Sequence, residues 1–133
     1  MYNLVKQVVG KDNFTQDEFE LWCYGRDAGS TFPRKPEAVV MIRSVEALSG
    51  VMKIAYRYGK PVIARGASSS MCGAPIPVEN GTLLLDISTL KGIEMNEESM
   101  VVMAGAGMTW TQLNRFLEDR GWELGLEGPW SAP

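Results

Sequence analysis

Residues 38–64 constrain the fold of this chain more than any other stretch. Ala38, Val39, Val40, Met41 and Ile42 form an unbroken apolar run, the pattern of a strand buried on both faces. Ser44 stands where a helix N-cap is needed. Val45, Leu48, Met52, Ala55 and Tyr58 then recur at helical spacing, giving the expected buried stripe. Gly59 suits the position after the helix C-cap, and Pro61 blocks continuation. Pro61-Val62-Ile63-Ala64 reads as a second short strand. Strand, helix and strand within about 30 residues make a βαβ unit, whose crossover is right-handed. An all-helical or purely antiparallel fold is thereby excluded, and an α/β (α+β) domain is expected.

The remaining pattern adds to this unit. Val5, Val8 and Val9 give a short helical stripe that stops at Gly10. Thr15 and Glu18 have capping-box spacing, which predicts a helix starting at Thr15 and running to Leu21 or Trp22. Residues 1–35 therefore read as an N-terminal arm with a short helix. Thr82 to Ile87 reads as a leucine-rich strand. Gly92–Met95 and Met100–Ala104 read as a hairpin around the solvated turn Asn96-Glu97-Glu98-Ser99. Thr109 and Gln112 form a capping box for a second helix, with Leu113, Phe116 and Leu117 inward and Gly121 as its stop. Trp122-Glu123-Leu124 is expected to close the fold as a short strand. The eight methionines read as core filler.

Composition removes whole classes of function. The 133 residues carry a net charge of −3, which lacks the basic footprint of a nucleic-acid binder. There is no histidine, so this chain supplies no His base, His triad or His metal ligand. Cys23 and Cys72 lack metal-site spacing and suit a reducing compartment. Lys6 and Gln7 interrupt the N-terminal apolar run, and no stretch approaches the roughly 20 apolar residues of a membrane span. A soluble, cytoplasmic protein is expected.

Three stretches have the chemistry to bind a ligand. The loop that opens Arg65-Gly66-Ala67-Ser68-Ser69-Ser70 and continues through Cys72 and Gly73 follows a strand of the βαβ unit. Ligands gather at the carboxyl ends of parallel strands. Small residues let successive backbone amides form an anion nest, and serine hydroxyls add donors. Arg65 would add charge or hold the loop. The competing reading is a solvated surface loop. The stretch is neither a Walker A nor a GxGxxG fingerprint. Cys72 is expected as a small buried residue rather than a reactive thiol. Gly105-Ala106-Gly107, leading into the second helix, would favour either an anion or tight strand-to-helix packing; packing is the expectation. Glu127-Gly128-Pro129-Trp130-Ser131 reads as a turn. Trp122 and Trp130 would line a ring-shaped ligand or serve as core aromatics.

The segments Pro36–Val40, Pro61–Ser70, Leu85–Ser88 and Ala104–Gly107, in this order and spacing, resemble the N-terminal half of the FAD-linked oxidase family. This is the group with the para-cresol methylhydroxylase (PCMH) and vanillyl-alcohol oxidase type of FAD domain, and the likeness extends to its glycolate oxidase FAD subunits and D-lactate dehydrogenases. Val9-Gly10, Tyr24 and Asp27 in the arm fit that subgroup. The resemblance implies the first subdomain of the PCMH-type FAD-binding domain. It implies an FAD pyrophosphate held by Arg65, Gly66, Ala67, Ser68, Ser69, Ser70 and Gly73, with Pro129 and Ser131 approaching the flavin from the other side. Ser68 departs from the family's glycine; a left-handed backbone there would strain a serine by about 1 kcal/mol or more. Without histidine, histidyl attachment is impossible, so the FAD is expected to be non-covalent.

The resemblance also divides the chain into an arm, 1–35, and the first half of an FAD-binding domain, 36–133. The rest of that domain and the substrate domain would come from further chain or a partner subunit, and no catalytic residue is assigned here. The implied function is the FAD-binding portion of an oxidoreductase acting on a 2-hydroxy acid such as glycolate or D-lactate. The alternative is a non-catalytic assembly or dimerisation module that binds no flavin by itself, with a homo-oligomer covering exposed apolar surface.

Overall fold

The computed structural model describes residues 1–124. A four-stranded sheet carries the domain, with strands β1 (Phe14–Thr15), β2 (Ala38–Met41), β3 (Val62–Arg65) and β4 (Leu83–Asp86) in spatial order β1-β2-β4-β3. β2, β4 and β3 are parallel, and β1 pairs antiparallel with β2. The expected βαβ unit is present, with one addition: β4 lies between its two strands. Its sequence explains the central place, because Leu83, Leu84 and Leu85 are all buried and can face layers on both sides.

Alternation divides those layers. Ala38, Val40, Leu83 and Leu85 face one core with Val5, Phe14, Val51 and Ala55. Val39 and Leu84 face the other with Leu21, flanked by Tyr24 and Ile63. Helix α1 (Tyr2–Val9) and helix α3 (Val45–Arg57) cover the first face. Helix α2 (Glu18–Tyr24) covers the second. The arm thus contributes Val5, Phe14 and Leu21 to the cores.

Several local expectations need correction. α2 is capped by Asp17, whose carboxylate accepts the amides of Phe19 and Glu20 at 3.0 and 3.1 Å. Thr15 cannot cap it because it is held in β1 opposite Val39. Ser44 does cap α3, accepting from Ala47 at 3.1 Å. The buried stripe of α3, however, is Val51 and Ala55 with Leu48 and Ile54 beside them. Val45, Met52 and Tyr58 point outward, because the sheet and α1 meet a face rotated from the predicted one. None of the eight methionines is buried; the branched side chains of the parallel strands fill the interior instead.

Strands β5 (Ile93–Asn96) and β6 (Val101–Ala104) form the expected antiparallel hairpin as a separate two-stranded ribbon. Helix α4 (Trp110–Glu118) follows, and its capping box is complete: Thr109 and Gln112 exchange side-chain-to-amide bonds of 3.3 and 3.1 Å. Leu117 is buried, and Leu113 and Phe116 are half-buried. Residues 122–124 form no strand; after Gly121 turns the chain at φ +76°, they have no strand partner. No helix of the described residues is long and apolar enough to cross a membrane.

Candidate functional site

The parallel strands end together at Met41, Asp86 and Arg65, which are adjacent in register. The loop leaves the sheet at Arg65. Burial and register fix the start of this loop, and the arm fixes the rest. Arg65 does not project into open solvent. Its Nη1 donates to the carbonyls of Tyr24 and Arg26, both at 2.7 Å, and its guanidinium carbon lies 5.1 Å from the centre of the Tyr24 ring. Burial lowers the Arg65 pKa, opposed by the neighbouring Tyr24, Asp86 and Asp27.

Tyr24 links the arm to the strand ends. Its hydroxyl donates to Asp86 Oδ2 at 2.8 Å, while Asp86 Oδ1 accepts the Ser88 amide at 2.9 Å. Burial, and then the hydrogen bond to the Asp86 carboxylate, push the phenol up to about 12. At neutral pH Tyr24 therefore keeps its proton and donates a hydrogen bond to Asp86.

Beyond Arg65, the amides of Gly66, Ala67, Ser68, Ser69 and Ser70 donate to no acceptor among the described residues. Ser68 adopts φ +61°, the left-handed conformation considered from its sequence. A left-handed residue within such a run turns successive N–H groups toward a common concavity. Its hydroxyl donates to Arg26 O at 3.4 Å. The Ser70 hydroxyl accepts the amides of Cys72 and Ala74 at 3.2 and 3.3 Å, which curls the loop back. Gly73 takes φ +79°, and its amide donates to Asp27 Oδ2 at 2.7 Å.

The structure brings Arg65, Gly66, Ala67, Ser68, Ser69, Ser70 and Gly73 into one loop at the sheet end. Pro129 and Ser131 lie outside the described residues. Cys72 is exposed, contrary to expectation, because the loop rides on the surface and presents no apolar socket. Gly105 and Gly107 follow the packing reading: a Cβ on either would overlap the carbonyl oxygens of Leu90 or Ile87. Their amides donate to Gly92 O and Leu90 O at 2.6 and 2.9 Å, tying the ribbon to the segment after β4. Tyr24 and Asp27 stood in the sequence only as part of a pattern; their contacts, with Asp86 at the end of β4 and with the loop's Gly73, join positions about 40–60 residues apart and have no local signature. No cluster of metal-ligating side chains occurs among the described residues.

A parallel sheet with a small-residue loop at its carboxyl end, whose amides from Gly66 to Ser70 find no acceptor among the described residues, is suited to a nucleotide cofactor. Residues 36–132 match the family described as FAD binding domain, and the chain belongs to that family. FAD is accordingly the cofactor for which this fold is built. The chain is 27% identical over 115 residues to the glycolate oxidase subunit GlcD of Bacillus subtilis, covering 86% of this chain and 24% of that protein. It is 35% identical over 100 residues to the mitochondrial cytochrome-type D-lactate dehydrogenase of Kluyveromyces lactis, covering 72% of this chain and 17% of the relative. It thus spans a quarter or less of these relatives. A substrate-bound p-cresol methylhydroxylase structure superposes with a TM-score of 0.85 at 20% identity, over 98% of this chain and 26% of that one. That match establishes the shared fold.

Proposed function

We propose that this chain forms the pyrophosphate-binding part of a non-covalent FAD site in an oxidoreductase acting on a 2-hydroxy acid such as glycolate or D-lactate. The observation that carries the reading is the run of amides from Gly66 to Ser70, at the carboxyl end of β3, that find no acceptor among the described residues. Unsatisfied donors on small residues suit a diphosphate. Gly66, Ala67, Ser68, Ser69 and Ser70 would hold it through backbone N–H groups, with Arg65 and Gly73 fixing the two ends of the loop. Pro129 and Ser131 complete the proposed set from sequence. Bound FAD supplies the acceptor for a hydride leaving the hydroxyl-bearing carbon. The residues of this chain position the cofactor, and no catalytic base is assigned to them.

The relatives' names support the substrate class: one is a glycolate oxidase subunit and another a D-lactate dehydrogenase. The remainder of the FAD and substrate domains, on further chain or a partner subunit, belongs to the same proposal, as does division into an arm, 1–35, and a first half-domain, 36–133. Two free, exposed cysteines support a reducing, cytoplasmic setting.

Purified chain mixed with FAD and then desalted should retain flavin absorbance, and calorimetry should give saturable binding. No binding at high micromolar FAD would sink the cofactor reading for this chain. Acid precipitation should leave the pellet colourless; a yellow pellet would overturn non-covalent attachment. Reconstitution with the remaining domains should reduce a dye with glycolate or D-lactate, and inactivity with every 2-hydroxy acid would remove that substrate class.

One observation favours a second reading. The exposed ribbon residues Met100, Val101 and Met103 suit an assembly module whose apolar surface is covered by a second copy. A chain that dimerises and binds no flavin would establish it.

A further inference from the structure

We infer that arm residues 24–29, which precede the family match at residue 36, are part of the cofactor site because they set the shape of its loop, with Asp27 as the principal positioning residue. The inference rests on the FAD reading for its ligand and on the arm–loop contacts for its geometry.

The arm runs along the loop and holds it at three points. At the near end, Arg65 donates to the carbonyls of Tyr24 and Arg26, and Ser68 donates to Arg26 as well. In the middle, the Ala28 amide donates to Ser70 O at 3.0 Å. At the far end, Asp27 Oδ2 accepts the Gly73 amide at 2.7 Å while its Oδ1 accepts the Gly29 amide at 2.9 Å. One carboxylate therefore shapes the arm's own turn and anchors the loop's far end. The approach is close: a Cβ on Gly29 would overlap the Met71 carbonyl.

Every one of these bonds leaves the amides of Gly66 to Ser70 untouched. The arm engages the Arg65 guanidinium, the Ser68 hydroxyl, the Ser70 carbonyl and the Gly73 amide, and it takes none of the donors an anion would take. This division fits a positioning role. A charged acceptor on a backbone amide makes one of the stronger single contacts available, and Asp27 is the arm side chain that holds the loop's far end.

The test uses the full chain with Asp27→Ala and Asp27→Asn. Amide hydrogen exchange reads the loop directly, and quenching of flavin fluorescence reads FAD affinity. Asp27→Ala should speed exchange at Gly73 and Ala28 and weaken FAD binding by about tenfold or more. Asp27→Asn keeps one acceptor oxygen but turns the other position into a donor, so it should give a smaller loss in both. It also preserves the side chain's shape, which keeps the test decisive should the alanine variant fail to fold. Unchanged exchange at Gly73 in the folded variants would overturn the clasp. Faster exchange with unchanged FAD affinity would overturn the arm's control of the cofactor. A wild-type chain that binds no FAD would refute the cofactor reading, and the exchange rates would still decide the clasp.

Discussion

β2 and β6 are built from the same four residues in different order, yet they occupy opposite surroundings. β2 reads Ala38-Val39-Val40-Met41 and β6 reads Val101-Val102-Met103-Ala104. The first three residues of β2 are fully buried, whereas Val101 and Met103 are 57% and 65% exposed. β2 has a paired strand on each side and helices over both faces. β6 has one partner, β5, and α4 lies near one face, where Val102, Trp110 and Leu113 share a groove. Strand composition therefore reports the capacity to be buried, and the neighbours decide whether it is used.

The largest expected difference between the two regions is in stability. Leu84→Ala, in the centre of the parallel sheet, should cost about 2–5 kcal/mol in urea unfolding. Met103→Ala should stay within about 0.5 kcal/mol, as for an exposed site. A large cost at Met103 would break the contrast and mean that the ribbon is covered in solution. Sedimentation would then show a dimer that Met103→Ala dissociates.

The two helix caps sharpen the same contrast at a smaller scale. Ser44→Ala should lower global stability by about 1 kcal/mol, because α3 packs on the sheet core. Thr109→Ala removes half of a complete capping box, but α4 accompanies the ribbon. Its effect should appear as faster amide exchange confined to residues near 109–118, with the global midpoint unchanged. An equal shift of the midpoint by both variants would show that sheet and ribbon unfold as one unit.

Alkaline pH should act on the sheet region through Tyr24. Tyr24 keeps its proton in the folded state to about pH 12, against 10 when unfolded. A raised folded value means that the stabilisation is fully present below about pH 10 and is lost as pH rises toward 12. Tyr24→Phe should remove this part of the alkaline dependence, as read by the unfolding midpoint across that range. An identical pH profile in the variant would show that the Tyr24–Asp86 bond does not hold the strand ends.

What could be read in the sequence follows the same divide between local and distant causes. The apolar run at 38–42, the cap at Ser44, the box at Thr109 and Gln112 and the hairpin turn are local patterns, and they were legible. The insertion of β4 between β2 and β3 was not, because strand order depends on which faces need cover. The rotated stripe of α3 failed for a related reason: Val45 and Met52 are as apolar as Val51, and only the position of α1 and the sheet selects among them. In the loop, small residues and serines suggested an anion nest, and the amides of Gly66 to Ser70 find no acceptor among the described residues. That Arg65 would spend its donors on the arm's carbonyls required two segments about 40 residues apart to meet, a contact without periodicity.

Each region also contains one non-glycine residue in the left-handed conformation, Ser68 at φ +61° in the loop and Met100 at φ +53° in the ribbon turn. This conformation costs an L-residue about 1–2 kcal/mol relative to its usual wells. Replacement by glycine recovers that strain and gives back about 0.5–1 kcal/mol through the greater freedom of the unfolded chain. The net gain is thus about 0 to 1.5 kcal/mol where nothing else changes. Met100 meets that condition: it is 72% exposed, and its turn is held by the Asn96 side chain on the Ser99 amide and by its own amide on Glu97 O. Met100→Gly should therefore stabilise the ribbon. Ser68 does not, since its hydroxyl bonds to Arg26 O. Ser68→Gly should be nearly neutral, and Ser68→Ala, which keeps the strain and loses the bond, should be the less stable of the pair. Urea unfolding of the three variants decides the matter. A Ser68→Gly gain equal to that of Met100→Gly would show that the bond to the arm contributes nothing at the near end of the loop.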